Sequence, residues 1–211
     1  MLASRFPILL LFALPVLVLG GCDSLQSERS GESADESASA DVETCLTEDE
    51  QQLLSLIRDY REENGLDQIP VSRSLTKVAR VHMRDLANNE PHKKREECNG
   101  HSWSDEGDWT PCCYTPDHAE AECMWDKPRE ITPYEGNGFE IGTSGPLVED
   151  PEDALSGWQS SPPHNAVILN EGDWSDYKWK SIGVGIYKGY AAAWFGKKSD
   201  PTEGAPPSCD E

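Results

Sequence analysis

The sequence predicts an α+β domain, because helical and strand patterns occupy different parts of one chain. Two amphipathic helical stretches come first, the second reaching Leu86, and an alternating apolar pattern with a tight turn comes last, from Ile182 to Phe195. At 211 residues the chain accommodates one such domain plus appendages.

The front of the chain is read as an appendage. Arg5 precedes an apolar run, Phe6 to Leu19, which is shorter than the ~20 residues a membrane-spanning helix needs. Small residues follow, so residues 1–21 read as an export signal. They end in Leu19-Gly20-Gly21-Cys22, which resembles a bacterial lipobox, where the cysteine is acylated and becomes the mature N-terminus. An ordinary signal with an incidental cysteine is the plainer alternative. Residues 22–44 are mostly Ser, Ala, Asp and Glu, too polar to bury a core, and are expected to be a disordered tether. A folded domain is then expected over 45–198, with a cysteine-rich insertion at about 98–133 and a polar tail at 199–211.

Charge narrows the partners. A net charge of −21 argues against nucleic acid and against a basic patch docking on anionic lipid. An exported chain with Cys45, Cys98, Cys112, Cys113, Cys123 and Cys209 points to disulfides. Six cysteines allow ~15 pairings. Bonding between the neighbours Cys112 and Cys113 would be strained, so each is expected to find a distant partner. The competing reading is a zinc cluster of Cys98, His101, Cys113, His118 and Cys123, but there is no paired C-x-x-C.

The elements follow in order. Thr47 and Glu50 have capping-box spacing, Leu53, Leu54, Ile57 and Tyr60 form a stripe, and Asn64-Gly65 stops the helix. Ile69-Pro70-Val71 crosses to a second helix capped by Ser72 or Ser74, with Leu75, Val78, Ala79, His82 and Leu86 on one face. His82 in that stripe reads as a satisfied core histidine rather than a ligand. Asn88 to Gly138 reads as irregular and cross-linked, with five prolines, four of the seven cysteines and three of the seven tryptophans. Within it Gly100-His101-Ser102-Trp103 sets a histidine beside an aromatic, and Asp105, Glu106 and Asp108 form either an oxygen-rich ligand set or solvated surface. In Gly138-Phe139-Glu140-Ile141-Gly142, an extended segment, Glu140 needs a partner or a cavity edge. Asp150-Pro151 starts another helix, with Ala154, Leu155 and Trp158 buried. Pro162-Pro163 ends it in a sharp turn that holds His164 beyond the helix end. Val167, Ile168 and Leu169 are an apolar run of undecided type. Ile182, Val184 and Ile186 alternate with Gly183, Gly185 and Tyr187, and Lys188-Gly189 turns the chain back along Tyr190 to Phe195.

Two helices, a Gly-His-Ser-Trp histidine, a glutamate segment, a Trp158…Ser161-Pro162-Pro163-His164 turn and an Ile182-Gly183-Val184-Gly185-Ile186-Tyr187 hairpin occur in that order. This resembles the CAP superfamily of cysteine-rich secretory proteins, antigen 5 and plant pathogenesis-related protein 1, in its bacterial form, from about Leu46 to Phe195. The resemblance implies a three-layer α-β-α sandwich with a central antiparallel sheet. It also implies a cavity lined by His101 and His164, with Glu140 at the family's Gly-Glu-Asn position. The family's second glutamate has no counterpart, since Ser160-Ser161 stand there.

Two functions follow from the resemblance. The first is a lipid-anchored protein of the bacterial cell envelope, facing the periplasm or exterior, that binds a small apolar, lipid or sterol-like ligand or an envelope partner. The second is a hydrolase in which His101 and His164 hold zinc or another divalent ion and Glu140 is base or third ligand. A serine nucleophile has no support, because Gly142-Thr143-Ser144-Gly145 is not a nucleophile elbow.

Overall fold

The computed structural model describes residues 45–143, 148 and 150–209. The export signal, Cys22, the tether and Ser144 lie outside the described residues. Helix α1 spans Glu48–Glu63, and both halves of the Thr47–Glu50 capping box are formed. Helix α2, Arg73–Asn89, is capped by Ser72, whose hydroxyl accepts from the Leu75 amide. The stretch expected to be irregular holds three short helices, α3 (Pro91–Lys94), α4 (Ala121–Trp125) and α5 (Lys127–Ile131). Strand β1 is Gly138–Thr143, α6 is Pro151–Ser160, α7 is Pro162–Leu169, and a 3-10 turn covers Gly172–Trp174. Strands β2, Ser181–Tyr187, and β3, Tyr190–Gly196, form the hairpin. Its turn residues Lys188 and Gly189 both have positive φ, 48° and 80°, as a two-residue turn of this twist requires.

The sheet is antiparallel in the order β1-β3-β2. Alternation along the central strand creates the layers. Ala191, Ala193 and Phe195 face one core with α1, α6 and α7, built from residues such as Leu53, Ile57, Leu155, Trp158 and Ile168. Ala192 and Trp194 face the other, with Leu75, Val78, Met83 and Leu86 of α2 and with Trp103 and Tyr114 of the insertion. The result is the expected α-β-α sandwich.

On β2 the alternation serves close approach. Ile182 and Val184 enter the first core, and Gly183 and Gly185 turn their bare backbones to α2. A Cβ on Gly183 would sit 2.1 Å from the Thr76 nitrogen and 2.2 Å from the Leu75 carbonyl carbon. Backbone cannot move aside as a side chain can. Gly183→Ala is therefore expected to cost about 1–3 kcal/mol or more by overpacking. A urea midpoint equal to that of the parent would refute this.

Two features depart from the sequence reading. Pro162-Pro163 does end α6, but Pro162 is also the first residue of α7, so His164 lies in a first helical turn and Val167-Ile168-Leu169 are helical. Proline suits that position because the first amides of a helix have no intrahelical partner. The polar tail, placed outside the folded domain, is also tied to it. Asp200 accepts hydrogen bonds from the Ser72 hydroxyl and from the Ser74 amide and hydroxyl, reinforcing the start of α2. Ser208 pairs with Leu46 as a short parallel bridge.

The three disulfides are Cys45–Cys209, Cys98–Cys113 and Cys112–Cys123. The neighbours Cys112 and Cys113 thus pair in opposite directions. The zinc-cluster reading is overturned, since its three cysteines are all bonded to other cysteines.

Candidate functional site

The site is organised by a carboxylate with no access to water. Glu140 in the middle of β1 has a fully buried side chain, and its two oxygens are both engaged by imidazoles. Oε2 meets His82 Nδ1, and Oε1 accepts from His101 Nδ1 at 2.7 Å. Burial alone would raise the Glu140 pKa, but the charge of His82 and the hydrogen bonds from both rings outweigh it and push the value down to about 2. Glu140 is therefore a carboxylate at neutral pH.

His82 Nε2 lies 3.0 Å from the Ser102 carbonyl, which can only accept, so that nitrogen carries hydrogen. Its Nδ1 meets the Glu140 carboxylate. The ring stacks on Trp103 with centroids 4.2 Å apart and planes 6° from parallel. His82 is a satisfied core histidine, as its stripe predicts. Its partner, however, is the site carboxylate, and this role was not read from the sequence. The sign was available, because both His82 and Glu140 were placed among apolar residues and each needed a polar partner.

His101 is held by the loop between its neighbouring cysteines. Asn99 Oδ1 accepts from the His101 amide at 3.0 Å, and the Asn99 amide donates to the Tyr114 carbonyl at 2.9 Å. Trp103 and Cys112 form an antiparallel bridge across the loop, and the Tyr114 amide donates to the Ser102 hydroxyl. Asp85, one turn beyond His82 on α2, accepts from the Ser104 amide and hydroxyl. The His101 ring meets Tyr114 edge to face, with centroids 5.1 Å apart. With Nδ1 committed to Glu140, Nε2 is the ring nitrogen left for other partners.

His164 completes the cavity from α7. Tyr60 of α1 donates to Asn165 Oδ1 at 2.9 Å, and Arg61 donates to the Ile168 carbonyl and to Asn170 Oδ1, tying the middle and the C-terminal end of α7 to α1. Burial, and next His101, lower the His164 pKa, against an opposing pull from Glu140. A lowered imidazole pKa costs stability in acid. As pH falls from about 6.5, the unfolded chain takes up a proton that the native His164 refuses. His164→Asn is expected to flatten that part of a stability–pH curve, and an unchanged slope would refute it.

His101 and His164 line one cavity of about 170 Å³ with Leu86, Asn99, Gly100, Gly142 and Thr143. The Thr143 hydroxyl there has no hydrogen-bond partner among the described residues. The volume is below the ~300–1,000 Å³ of pockets that enclose drug-sized ligands. A cavity of about 250 Å³ lies elsewhere, lined by Leu54, Ile57, Ile69 and Ile182 together with Arg58, Arg61 and Gln68.

The donors also do not fit a zinc centre. Glu140 faces imidazoles on both oxygens, leaving His101 and His164 alone in the cavity. Among the described residues no group of three or more His, Cys, Asp or Glu side chains is placed to hold a metal ion. The hydrolase reading, with Glu140 as base or third ligand, has no geometric support. Asp105, Glu106 and Asp108 are exposed, and Asp105 pairs with Lys94. His118 bonds Tyr114 at 2.7 Å.

A family model described as CAP, the cysteine-rich secretory protein family, matches residues 54–194. The chain belongs to the cysteine-rich secretory protein family. Solved structures similar to this family member include an extracellular protein with an SCP domain from Bacillus anthracis, at 19% identity and a TM-score of 0.48. That match covers 71% of this chain but 40% of the Bacillus chain. An outer surface protein of Borrelia burgdorferi matches at 19% identity over 72% of this chain and 93% of its own, with a TM-score of 0.49. A cysteine-rich secretory protein of Staphylococcus aureus matches at 15% identity over 71% and 39%, with a TM-score of 0.45. Among curated proteins there is no match.

Proposed function

We propose that this family member is an exported binding module, held at a bacterial membrane through an acyl chain on Cys22, that receives a small polar group of an envelope partner in the His101–His164 cavity. The carrying observation is the commitment of Glu140. Both its oxygens are held by His82 and His101, so it rigidifies the cavity wall instead of moving protons. Ser160 and Ser161 stand where a second acid would be needed, so no other carboxylate is supplied from that helix end. What lines the cavity is His101, the His164 ring, whose pKa is lowered by burial, and Thr143, a polar set that suits a hydrogen-bonding group such as an amide or hydroxyl. Three disulfides agree with an oxidising compartment outside the cytoplasm.

The test uses the full chain. Peptide and ester substrates are expected to show no turnover, with or without added zinc. Small amides such as acetamide are expected to shift the His101 and His164 imidazole resonances, and a His164→Ala variant to lose those shifts. Hydrolysis that disappears in both His164→Ala and Glu140→Gln would overturn the reading.

A further inference from the structure

A second cavity lies at the other end of α2 and shares no residue with the histidine cavity. It has a volume of about 200 Å³ and is lined by Arg73, Lys77 and Arg80, with Thr76 between them and Pro133 and Pro206 on its far walls. The chain has 39 acidic residues against 18 basic ones, so unneutralised cations side by side need a reason.

Arg80 is neutralised, with Nε donating to Glu50 at 2.7 Å. Arg73 is not. Its guanidinium donates at 3.2 and 3.0 Å to the uncharged carbonyls of Gly204 and Ala205, which hold the side chain in place and leave its charge. Lys77 is exposed and has no ion-pair or hydrogen-bond partner among the described residues. The two stand four residues apart on one helix, a spacing at which like charges destabilise the helix. Thr76 supplies an independent sign. It is 2% exposed, and its hydroxyl lacks a hydrogen-bond partner, an arrangement that buried hydroxyls rarely adopt without a ligand or water.

We propose that this cavity is a binding site for a phosphate group. Arg73 and Lys77 supply two positive charges, the Thr76 hydroxyl supplies a hydrogen bond, and the bonds from Arg73 to the tail preorganise the site. A phosphate monoester carries about −1.5 to −2 charges at neutral pH, which matches two cations better than the single charge of a carboxylate.

The experiment titrates inorganic phosphate into the full chain at constant ionic strength and follows the Thr76 and Lys77 amide resonances and the melting temperature. Saturable shifts are expected, weakened at least tenfold by Lys77→Gln and restored by Lys77→Arg. Lys77 is exposed, so its substitution leaves the fold intact, and Thr76→Val is expected to weaken binding several-fold. Sedimentation with phosphatidic acid vesicles separates a lipid headgroup from free phosphate as the source, and Lys77-dependent binding of either supports the site. No saturable effect of either probe, an equal effect of acetate, or unchanged affinity in Lys77→Gln would overturn it.

Discussion

Glu140→Ala is expected to lower the stability of the domain at pH 7 by about 3–5 kcal/mol, the range for removing one partner of a buried charge pair. An independent route gives a similar size. Holding a carboxyl at about 2 instead of 4.5 corresponds to about 3 kcal/mol of preference for the ionised form, at about 1.4 kcal/mol per unit. The sign against pH follows. A carboxyl with a depressed native pKa contributes stability above about 4.5, and the contribution is lost as pH falls towards about 2. The parent should therefore lose stability across that window, and Glu140→Gln, which cannot titrate, should lose less. Urea denaturation at pH 7 and pH 3 measures both. A loss under about 1 kcal/mol for the alanine variant would mean that His82 and His101 are positioned by other contacts.

Replacing Cys45 and Cys209 together with serine is expected to cost about 2–5 kcal/mol. This bond joins residues separated by 164 positions, and chain entropy for so long a ring is about 5 kcal/mol. Cys98–Cys113 closes a separation of 15, for which the same relation gives about 3 kcal/mol. The Cys45–Cys209 bond also holds the start of α1 to the tail, where the Cys209 amide donates to the Leu46 carbonyl and Arg80 donates to Cys45 and Glu50. Denaturation of the paired serine variants should rank Cys45–Cys209 above Cys98–Cys113, and the reverse order would refute the ring-size argument.

Local rules made much of this legible. The capping box at Thr47, the aspartate cap before Pro151 and the Lys188-Gly189 turn act within a few residues, and each was formed as its neighbours dictate. His101 and His164 of the cavity, and Glu140 buried behind His101, were found by order along the chain, because a histidine after glycine, a glutamate in a strand and a histidine after two prolines are short patterns. What escaped was tertiary. Pro162 both ends α6 and starts α7, where Ile168 joins the core shared with α1 and Arg61 of α1 bonds the Ile168 carbonyl, contacts that lie far along the chain. His82 and Glu140 are 58 residues apart, and nothing in either segment says which polar partner each will find. Asp200 was placed in the polar tail because its partners lie on the far side of the sequence, at Ser72 and Ser74.

The two adjacent cysteines have a consequence for how the chain oxidises. Cys112 and Cys113 each have a partner, and exchanging those partners would change the chain by one position only. That slip would break the Trp103–Cys112 bridge and turn Tyr114 away from His101, since neighbouring residues of an extended segment face opposite ways. The isomer with Cys98–Cys112 and Cys113–Cys123 would leave no free thiol among the six described cysteines, yet lack a formed histidine cavity. A thiol count alone does not certify this protein as native, and peptide mapping of the two neighbouring bonds is the assay that does.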